Sequence, residues 1–102
     1  MNASIVIPAY NEAGRIADQV RRCLELVPRP EVIVVDGASQ DDTLPRARSA
    51  GAVTLLSPLR GRASQMNCGA QAAKGDLLVF LHADVLLPQS AYAAMREALA
   101  DA

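Results

Sequence analysis

Short apolar runs alternate along the chain with longer segments in which apolar residues recur at helical spacing, and turn residues mark the junctions. The pattern predicts four strands, each followed by a helix. The predicted strands cover residues 4–10, 31–35, 52–56 and 76–83. The predicted helices cover residues 12–27, a short segment ending at 50, residues 63–74, and a segment that opens at Pro88.

The longer segments carry apolar stripes that predict which helix faces are buried. The predicted stripes are Ile16, Val20, Leu24 and Val27 in the first helix, Ala63, Met66, Ala70 and Ala73 in the third, and Ala91, Met95, Ala98 and Leu99 in the fourth. Asn11 is predicted as the N-cap of the first helix and Pro28 as its stop.

The predicted strands are apolar on both faces, which indicates a parallel sheet covered by helices. The fold class is therefore α/β, with a Rossmann-like sheet of about four strands. Each loop from a strand end to the next helix emerges at the carboxyl edge, where open α/β sheets bind ligands. Those loops read "PAYNE", "DGASQDD", "PLRGR" and "HAD".

Length and composition limit the functions to consider. A chain of 102 residues forms one domain, and a net charge of -1 provides no overall field for nucleic acid. Two cysteines indicate small apolar residues on helix faces rather than a disulfide framework. We expect no secretory signal, because the N-terminus has no basic region and leads directly into a strand-like run. We expect no spanning helix, because no apolar stretch reaches about 18 residues, and we therefore expect a cytoplasmic location.

Two carboxylates follow apolar strands at this predicted edge. Asp36 comes directly after "VIVV", and Asp84 follows "LLVFLHA" with His82 beside it. Clustered acids of this kind suit Mn²⁺ or Mg²⁺ shared with substrate phosphates. The alternative for both aspartates is a solvated turn or N-cap role.

Other candidates also have two interpretations. His82 is either a ligand or a packed, hydrogen-bonded residue, and Glu12 is either a site residue or a first-turn helix acid. Arg60 and Arg62 flank Gly61 and suit phosphate or base contacts, or remain surface charges. Asp41 and Asp42 are interpreted as helix-capping residues.

Several cofactor motifs are missing from the sequence. It contains no G-x-G-x-x-G after the first strand, no G-x-x-x-x-G-K-[ST] and no G-x-S-x-G. A dinucleotide cofactor, a P-loop enzyme and an α/β-hydrolase are therefore disfavoured. What remains is a nucleotide and metal site built from carboxylates.

Four blocks resemble the family 2 glycosyltransferases in order and spacing: "SIVIPAYNEAGRI", "VIVVDGASQDDT", "GRASQMNCGAQAAKGD" and "LVFLHADVLLP". The resemblance covers nearly the whole chain. The wording "GRASQMN" with "FLHAD" looks closest to a small bacterial subgroup found near radical-SAM and selenium-related genes.

The resemblance implies a GT-A fold, a nucleoside-diphosphate sugar donor and a bridging Mn²⁺ or Mg²⁺. The loop formed by Pro8, Ala9, Tyr10 and Glu12 would line the nucleoside, and Asp36 would take the base, commonly uracil. By the same resemblance, Gly61, Arg62 and Asn67 belong to the block that closes over the nucleotide, and Asp84 is the metal-binding acid of the D-x-D motif. The resemblance further implies sugar transfer with inversion to an unknown acceptor.

This chain departs from the family pattern at two positions. Gly37 stands where a second acid often follows the second strand, and His82 replaces the first acid of D-x-D, where it could donate a hydrogen bond or join the metal shell. The family's general base lies after the D-x-D block, so we expect it beyond residue 102.

We therefore expect a donor-binding portion whose exposed sheet edge invites pairing with a second copy. The alternatives are a non-catalytic nucleotide-binding or assembly module and, less compatible with the four blocks, a receiver-like signalling domain.

Overall fold

The computed structural model describes residues 2–100 and has the predicted alternation of strands and helices. The strands are β1 (Ala3–Ala9), β2 (Glu31–Asp36), β3 (Val53–Leu56) and β4 (Leu77–Phe80). The helices are α1 (Ile16–Leu24), α2 (Thr43–Ser49), α3 (Arg62–Ala72) and α4 (Gln89–Ala100). All strand pairs are parallel, which confirms the α/β class with a four-stranded sheet.

The strand order is β3-β2-β1-β4, so the chain crosses the sheet between its third and fourth strands. β1 therefore lies between β2 and β4, with Ala9 opposite Asp36 on one side and Val6 opposite Phe80 on the other. The pairing with β4 ends before Pro8, which has no backbone N–H to donate. Beyond that point β1 and the chain after β4 are free to separate.

Helices cover both faces of the sheet. One apolar cluster joins β1 and β2 to α1, α2 and α4 through buried residues that include Ile5, Val34, Val20 and Tyr92. The opposite cluster is smaller, and in it Val6, Ile33 and Val35 pack beneath α3. Both faces of the central strands are thus removed from water, as their continuous apolar sequences predict.

The predicted helix stripes are partly wrong. α1 ends at Leu24, and Val27 lies beyond it with 70% of its surface exposed. In α3 the buried residues are Gln65 and Gly69, whereas Ala63 is exposed. α3 lies so close to β1 and β2 that its two buried residues are a glycine and a hydrogen-bonding amide, while Ala73, just after the helix, is partly buried against the same cluster.

The fourth helix also buries a different residue from those predicted. Tyr92 is fully buried and donates a hydrogen bond to Pro28 O at 2.6 Å, whereas Met95 is exposed. An aromatic ring with a polar end suits this margin of the sheet, where α4 meets the loop after α1.

Asn11 is not the N-cap of α1. Its φ angle is 53°, and Arg15 is the residue that precedes the helix. Asparagine tolerates this left-handed conformation better than most residues, because its short polar side chain bonds locally.

Both cysteines fill helix–sheet contacts as the sequence predicts. Cys23 is buried on α1, and this burial raises the pKa of its thiol to about 11. Cys68 is half-buried on α3 and packs against the opposite cluster.

In residues 2–100, none of the helices combines the length and the apolar character that crossing a lipid bilayer requires.

Candidate functional site

A cleft of about 330 Å³ opens at the carboxyl ends of β1 and β4. The chain adds β2 and β3 on one side of β1 and β4 on the other, and such switch points in strand order are where open α/β sheets bind ligands. The cleft is lined by Pro8, Ala9, Tyr10, Glu12, Arg62, Gln65, His82, Ala83 and Asp84. Three segments distant in sequence therefore surround one space.

The loop after β1 forms the first wall, and it is tied to the loop after β2. Asn11 N donates to Ser39 Oγ at 2.8 Å, and Glu12 N donates to Thr43 Oγ1 at 2.8 Å. In return, Gln40 N donates to Asn11 Oδ1 at 2.9 Å. These bonds satisfy backbone groups that have no partner in the sheet and hold both loops in one arrangement.

Asp41 contributes to the same set of bonds. Its carboxylate accepts hydrogen bonds from the Thr43 hydroxyl, from Thr43 N at 3.0 Å and from Ala13 N at 3.3 Å. The hydroxyl bond from Thr43 lowers the pKa of Asp41 below its ordinary value. Asp41 therefore supports the start of α2, in agreement with the capping interpretation, whereas the Asp42 side chain makes no capping bond.

The ring of Tyr10 lies on this wall and is covered by the guanidinium group of Arg60. The Arg60 guanidinium carbon lies 4.0 Å from the centre of the Tyr10 ring, in cation–π geometry. Arg60 comes from the loop after β3, so this contact joins a third strand end to the edge of the cleft.

Asp36 ends β2 next to this wall, but it does not line the cleft. The residue is 3% exposed, and its carboxylate accepts hydrogen bonds from the Ser39 hydroxyl and from Ser39 N at 2.9 Å. Because Ser39 Oγ in turn accepts from Asn11 N, Asp36 orders both loops through Ser39. Its predicted role toward a base stays a prediction.

The N-terminus of α3 forms the second wall. Gly61 precedes the helix with a φ angle of 131°, which glycine adopts without strain, and Arg62 follows it at the cleft. One turn later, Gln65 is buried and donates from Nε2 to Ala9 O at 2.9 Å and to Val35 O at 3.0 Å. This amide fixes α3 to the ends of β1 and β2.

The segment after β4 forms the third wall and presents His82 and Asp84. Both residues are exposed, while Ala83 between them is buried. The segment is held by Gln19 of α1, whose Nε2 donates to His82 O at 3.0 Å and to Val85 O at 2.6 Å. His82 therefore has its ring at the cleft rather than packed in the core.

The carboxylates of Glu12 and Asp84 are bridged by Arg15. Arg15 Nε lies 3.3 Å from Glu12 Oε2, and Arg15 Nη1 lies 3.8 Å from Asp84 Oδ2. Glu12 Oε2 is buried without a hydrogen bond, whereas 61% of the Asp84 side chain is exposed. A second cavity of about 460 Å³ adjoins the first at these residues and extends along α1 to Arg22.

The structure thus brings most of the predicted site residues together. Pro8, Ala9, Tyr10, Glu12, Arg62, His82 and Asp84 line one cleft, and Gly61 adjoins it. Asn67 is exposed on α3 and lines a separate cavity with Pro58 and Leu59. Five residues after Arg62, it lies on a different side of the helix, and its role stays a prediction.

Sequence reasoning missed Arg15, Gln19 and Gln65. Each glutamine occupies a buried helix position, and the one signal in the sequence is an uncharged polar residue where the core requires an apolar one.

The oxygen atoms at the cleft fit a hard divalent cation whose other ligands are supplied by the phosphates of the substrate. Within residues 2–100, no three His, Cys, Asp or Glu side chains come together as a metal site. Mg²⁺ and similar ions are commonly held by one or two carboxylates together with substrate phosphates. Asp84 provides one exposed carboxylate at the mouth of the cleft, and this arrangement suits such shared binding.

The glycosyl transferase family 2 model matches residues 4–102 of this chain. Undecaprenyl-phosphate 4-deoxy-4-formamido-L-arabinose transferase of Aeromonas hydrophila is 34% identical, over 83% of this chain and 29% of that protein. The uncharacterized glycosyltransferase YfnE of Bacillus subtilis is 35% identical, over 84% of this chain and 24% of that protein. The chain thus matches between 24% and 29% of the length of these relatives.

Solved structures share the fold. A mycobacterial protein superposes with a TM-score of 0.81 and 28% identity, over 99% of this chain and 37% of that one. Glucosyl-3-phosphoglycerate synthase from Mycobacterium tuberculosis, in complex with Mn²⁺, UDP-glucose and phosphoglyceric acid, gives a TM-score of 0.76 and 27% identity, over 91% and 36%. None of these matches supports the narrower bacterial subgroup. The sheet, the cleft and the family match agree, and the chain belongs to glycosyl transferase family 2.

Proposed function

We propose that this chain binds the nucleoside-diphosphate sugar donor of a glycosyltransferase, with UDP as the expected nucleotide and Mn²⁺ or Mg²⁺ as the cation. The observation that carries the proposal is the cleft at the switch point, where an aromatic ring, an arginine and an exposed carboxylate converge. The synthase with the same fold is in complex with Mn²⁺ and UDP-glucose, which supports this choice of ligand.

The three walls of the cleft suggest separate tasks. Pro8, Ala9 and Tyr10 provide apolar and aromatic surface for the nucleoside, and Asp36 keeps this wall in place or accepts a hydrogen bond from the base. Arg62 offers a guanidinium fork suited to phosphate oxygens. Gly61 and Asn67 belong to the same block of sequence as Arg62, and we propose that this block closes over the bound nucleotide.

The wall after β4 is the proposed cation side. Asp84 would hold the cation, and His82 would donate a hydrogen bond or complete the ligand shell. When bound, the cation would supply charge stabilisation to the departing diphosphate. Asp84 itself is exposed, and its segment is fixed by Gln19, so the carboxylate is available without a large rearrangement.

Sugar transfer with inversion also needs a general base for the acceptor hydroxyl. Glu12 and Asp84 both face Arg15, so each of these carboxylates has a guanidinium beside it. We propose that the base and the acceptor surface belong to chain that follows the family's D-x-D block. The acceptor itself and the cytoplasmic location stay predictions.

Calorimetric titration of UDP tests the proposal, first with Mn²⁺ and then with EDTA, with GDP and ADP as controls. We expect saturable UDP binding that requires the cation. Asp84→Ala should abolish the part of the affinity that depends on Mn²⁺ and leave the EDTA value unchanged. Asp18→Ala, which removes an exposed aspartate paired with Arg21 on α1, is the matched control.

The same titration tests the nucleoside wall. Asp36→Ala should weaken UDP binding both with and without Mn²⁺, whereas Asp36→Asn keeps an acceptor for Ser39 and should lose less. Equal UDP affinity in the wild type and in Asp36→Ala would show that Asp36 does not contribute to the nucleoside site and serves only the turn after β2. No heat with any nucleotide would overturn the proposed donor site in this chain.

A second candidate is a nucleotide-binding module that does not turn over. The contact of both cleft carboxylates with Arg15 favours it, because each has a guanidinium beside it in residues 2–100. Cation-dependent UDP binding without release of UDP from any UDP-sugar, in the presence of candidate acceptors, would support this second function.

A further inference from the structure

Arg15 is the charged residue at the candidate site that the sequence did not assign. It is the residue before α1, and its guanidinium contacts a carboxylate on each of two walls of the cleft. Nε lies 3.3 Å from Glu12 Oε2, and Nη1 lies 3.8 Å from Asp84 Oδ2. Arg15 therefore joins the loop after β1 to the segment after β4.

The two contacts are unequal. Glu12 Oε2 is buried without a hydrogen bond, and 27% of the Glu12 side chain is exposed, so the nearby guanidinium compensates a charge that water reaches poorly. By contrast, 61% of the Asp84 side chain is exposed, and an ion pair at 3.8 Å in such a place is weak and readily exchanged. The Glu12 contact anchors Arg15, and the Asp84 contact is the one that can open.

We propose that Arg15 is a built-in competitor of the divalent cation for Asp84. This inference rests on the proposed function, in which Asp84 holds the cation. A guanidinium and a divalent cation beside the same carboxylate repel each other, so the cation binds more favourably when Arg15 leaves Asp84. It can do so without leaving Glu12. In the nucleotide-free protein, Arg15 thus keeps the cation affinity lower than Asp84 alone would give.

Titration with Mn²⁺, followed by the electron paramagnetic resonance signal of the free ion, tests this inference without any activity assay. The wild type is compared with Arg15→Gln and Arg15→Lys, with and without UDP. Arg22→Gln is the matched control, because Arg22 lines the second cavity and forms no ion pair within residues 2–100.

At low ionic strength, Arg15→Gln should tighten Mn²⁺ binding about two- to fivefold, the range that an exposed ion pair supports. Arg15→Lys keeps the charge and Arg22→Gln keeps the pair, so both should stay near the wild-type affinity. Added salt should reduce the difference, because it screens exposed charges.

A second comparison guards against misfolding of Arg15→Gln, which leaves Glu12 without its counter-charge. Glu12→Gln and the double variant Glu12→Gln/Arg15→Gln remove that problem, and the double variant should again bind Mn²⁺ more tightly than its parent. A general loss of structure would weaken binding instead.

Two outcomes separate the inference from the proposed function. Unchanged or weaker Mn²⁺ binding in Arg15→Gln, together with UDP binding that still needs the cation, would overturn the role of Arg15 and leave the proposed function standing. If neither the wild type nor any variant binds Mn²⁺, with or without UDP, the cation role of Asp84 and the inference fail together.

Discussion

Two buried glutamines hold the backbone of the candidate site from opposite faces of the sheet. Gln19 of α1 binds the carbonyl oxygens of His82 and Val85, on either side of Asp84, and Gln65 of α3 does the same at the ends of β1 and β2. Strand ends leave carbonyl groups without partners in the sheet, and a side-chain amide can satisfy two of them at once. The site therefore depends on residues that do not face its ligand.

Replacing Gln19 with methionine keeps the length of the side chain and removes both donors. We expect Gln19→Met to lower the free energy of unfolding by about 1–3 kcal/mol, because carbonyl groups in a partly buried segment lose a partner. Cation-dependent UDP affinity should fall as well, since the segment that carries Asp84 is no longer fixed. Urea unfolding and calorimetry measure the two effects.

Gln71→Met is the matched control for this prediction. Gln71 is exposed on α3, so the same substitution there should leave both quantities close to the wild-type values. Equal behaviour of the two variants would show that the amide of Gln19 does not position the segment.

Site residues that directly follow a strand could be predicted from the sequence, whereas the residues that hold the backbone of the site could not. Asp84 and His82 could be placed at the sheet edge because an apolar run ends just before them. Gln19 and Arg15 look like ordinary polar residues of a helix. Only the strand order brings them against the segment after β4, and Gln19 and His82 are 63 residues apart in sequence. Local patterns carry no information about that contact.

At the scale of elements, the existence of the strands and helices was predictable, and so was most of the buried face of α1, whereas the buried residues of α3 and α4 were not. Continuous apolar runs identify β1 and β2, because residues 5–7 and 32–35 are all apolar and all buried. α3 is different, because its fully buried residues are Gln65 and Gly69, and the apolar Cys68 is only partly buried. Because α3 lies close to the sheet, a small residue is needed at Gly69. The spacing of apolar residues along the sequence does not reveal such a requirement.

Gly69 is the position where this close approach can be measured. A Cβ atom at Gly69 would lie 2.3 Å from Val6 Cγ1 and 3.0 Å from Val35 Cγ2, so α3 would have to move away from the sheet. We expect Gly69→Ala to lower the free energy of unfolding by about 1–3 kcal/mol in urea, as over-packing does in other cores. Displacement of α3 would also weaken UDP binding through Arg62.

The control for this substitution is Gly14→Ala. A Cβ at Gly14 would meet nothing within 4 Å, so the free energy of unfolding should change by no more than about 0.5 kcal/mol. If Gly69→Ala is no more harmful than Gly14→Ala, the helix is not held at the distance that the structure indicates.

At the scale of the whole molecule, the strand order creates the cleft, and the sequence alone did not determine that order. A β-α-β-α pattern predicts a parallel sheet, but it does not say that β4 pairs with β1 rather than with β3. The parallel sheet and its ligand-binding edge were predictable, whereas the position of the cleft between β1 and β4 depends on the strand order.

The order also leaves β3 and β4 as edge strands. Val53 and Leu56 on β3 are 48% and 61% exposed, and Leu78 and Phe80 on β4 are 36% and 45% exposed. Unpaired backbone groups beside exposed apolar side chains favour pairing with another strand. We therefore predict that this chain self-associates through a sheet edge.

Sedimentation velocity over a range of protein concentrations tests this prediction. Val53→Lys and Phe80→Lys each place a charge on one edge, and the variant at the edge in use should shift the protein toward monomer. The other variant serves as its control. A wild-type protein that stays monomeric at every concentration would contradict self-association.

The hydrogen bonds between the loops after β1 and β2 have a consequence for how this site can be changed. Asn11 and Glu12 bind partners on the second loop, and Gln40 binds back to the first, so neither loop keeps its shape without the other. To graft this wall onto another enzyme, the loops after β1 and β2 would have to be transferred together. The segment after β4 is held by Gln19 and by the exposed pair of Asp84 with Arg15, so it can be exchanged without moving the loop after β2.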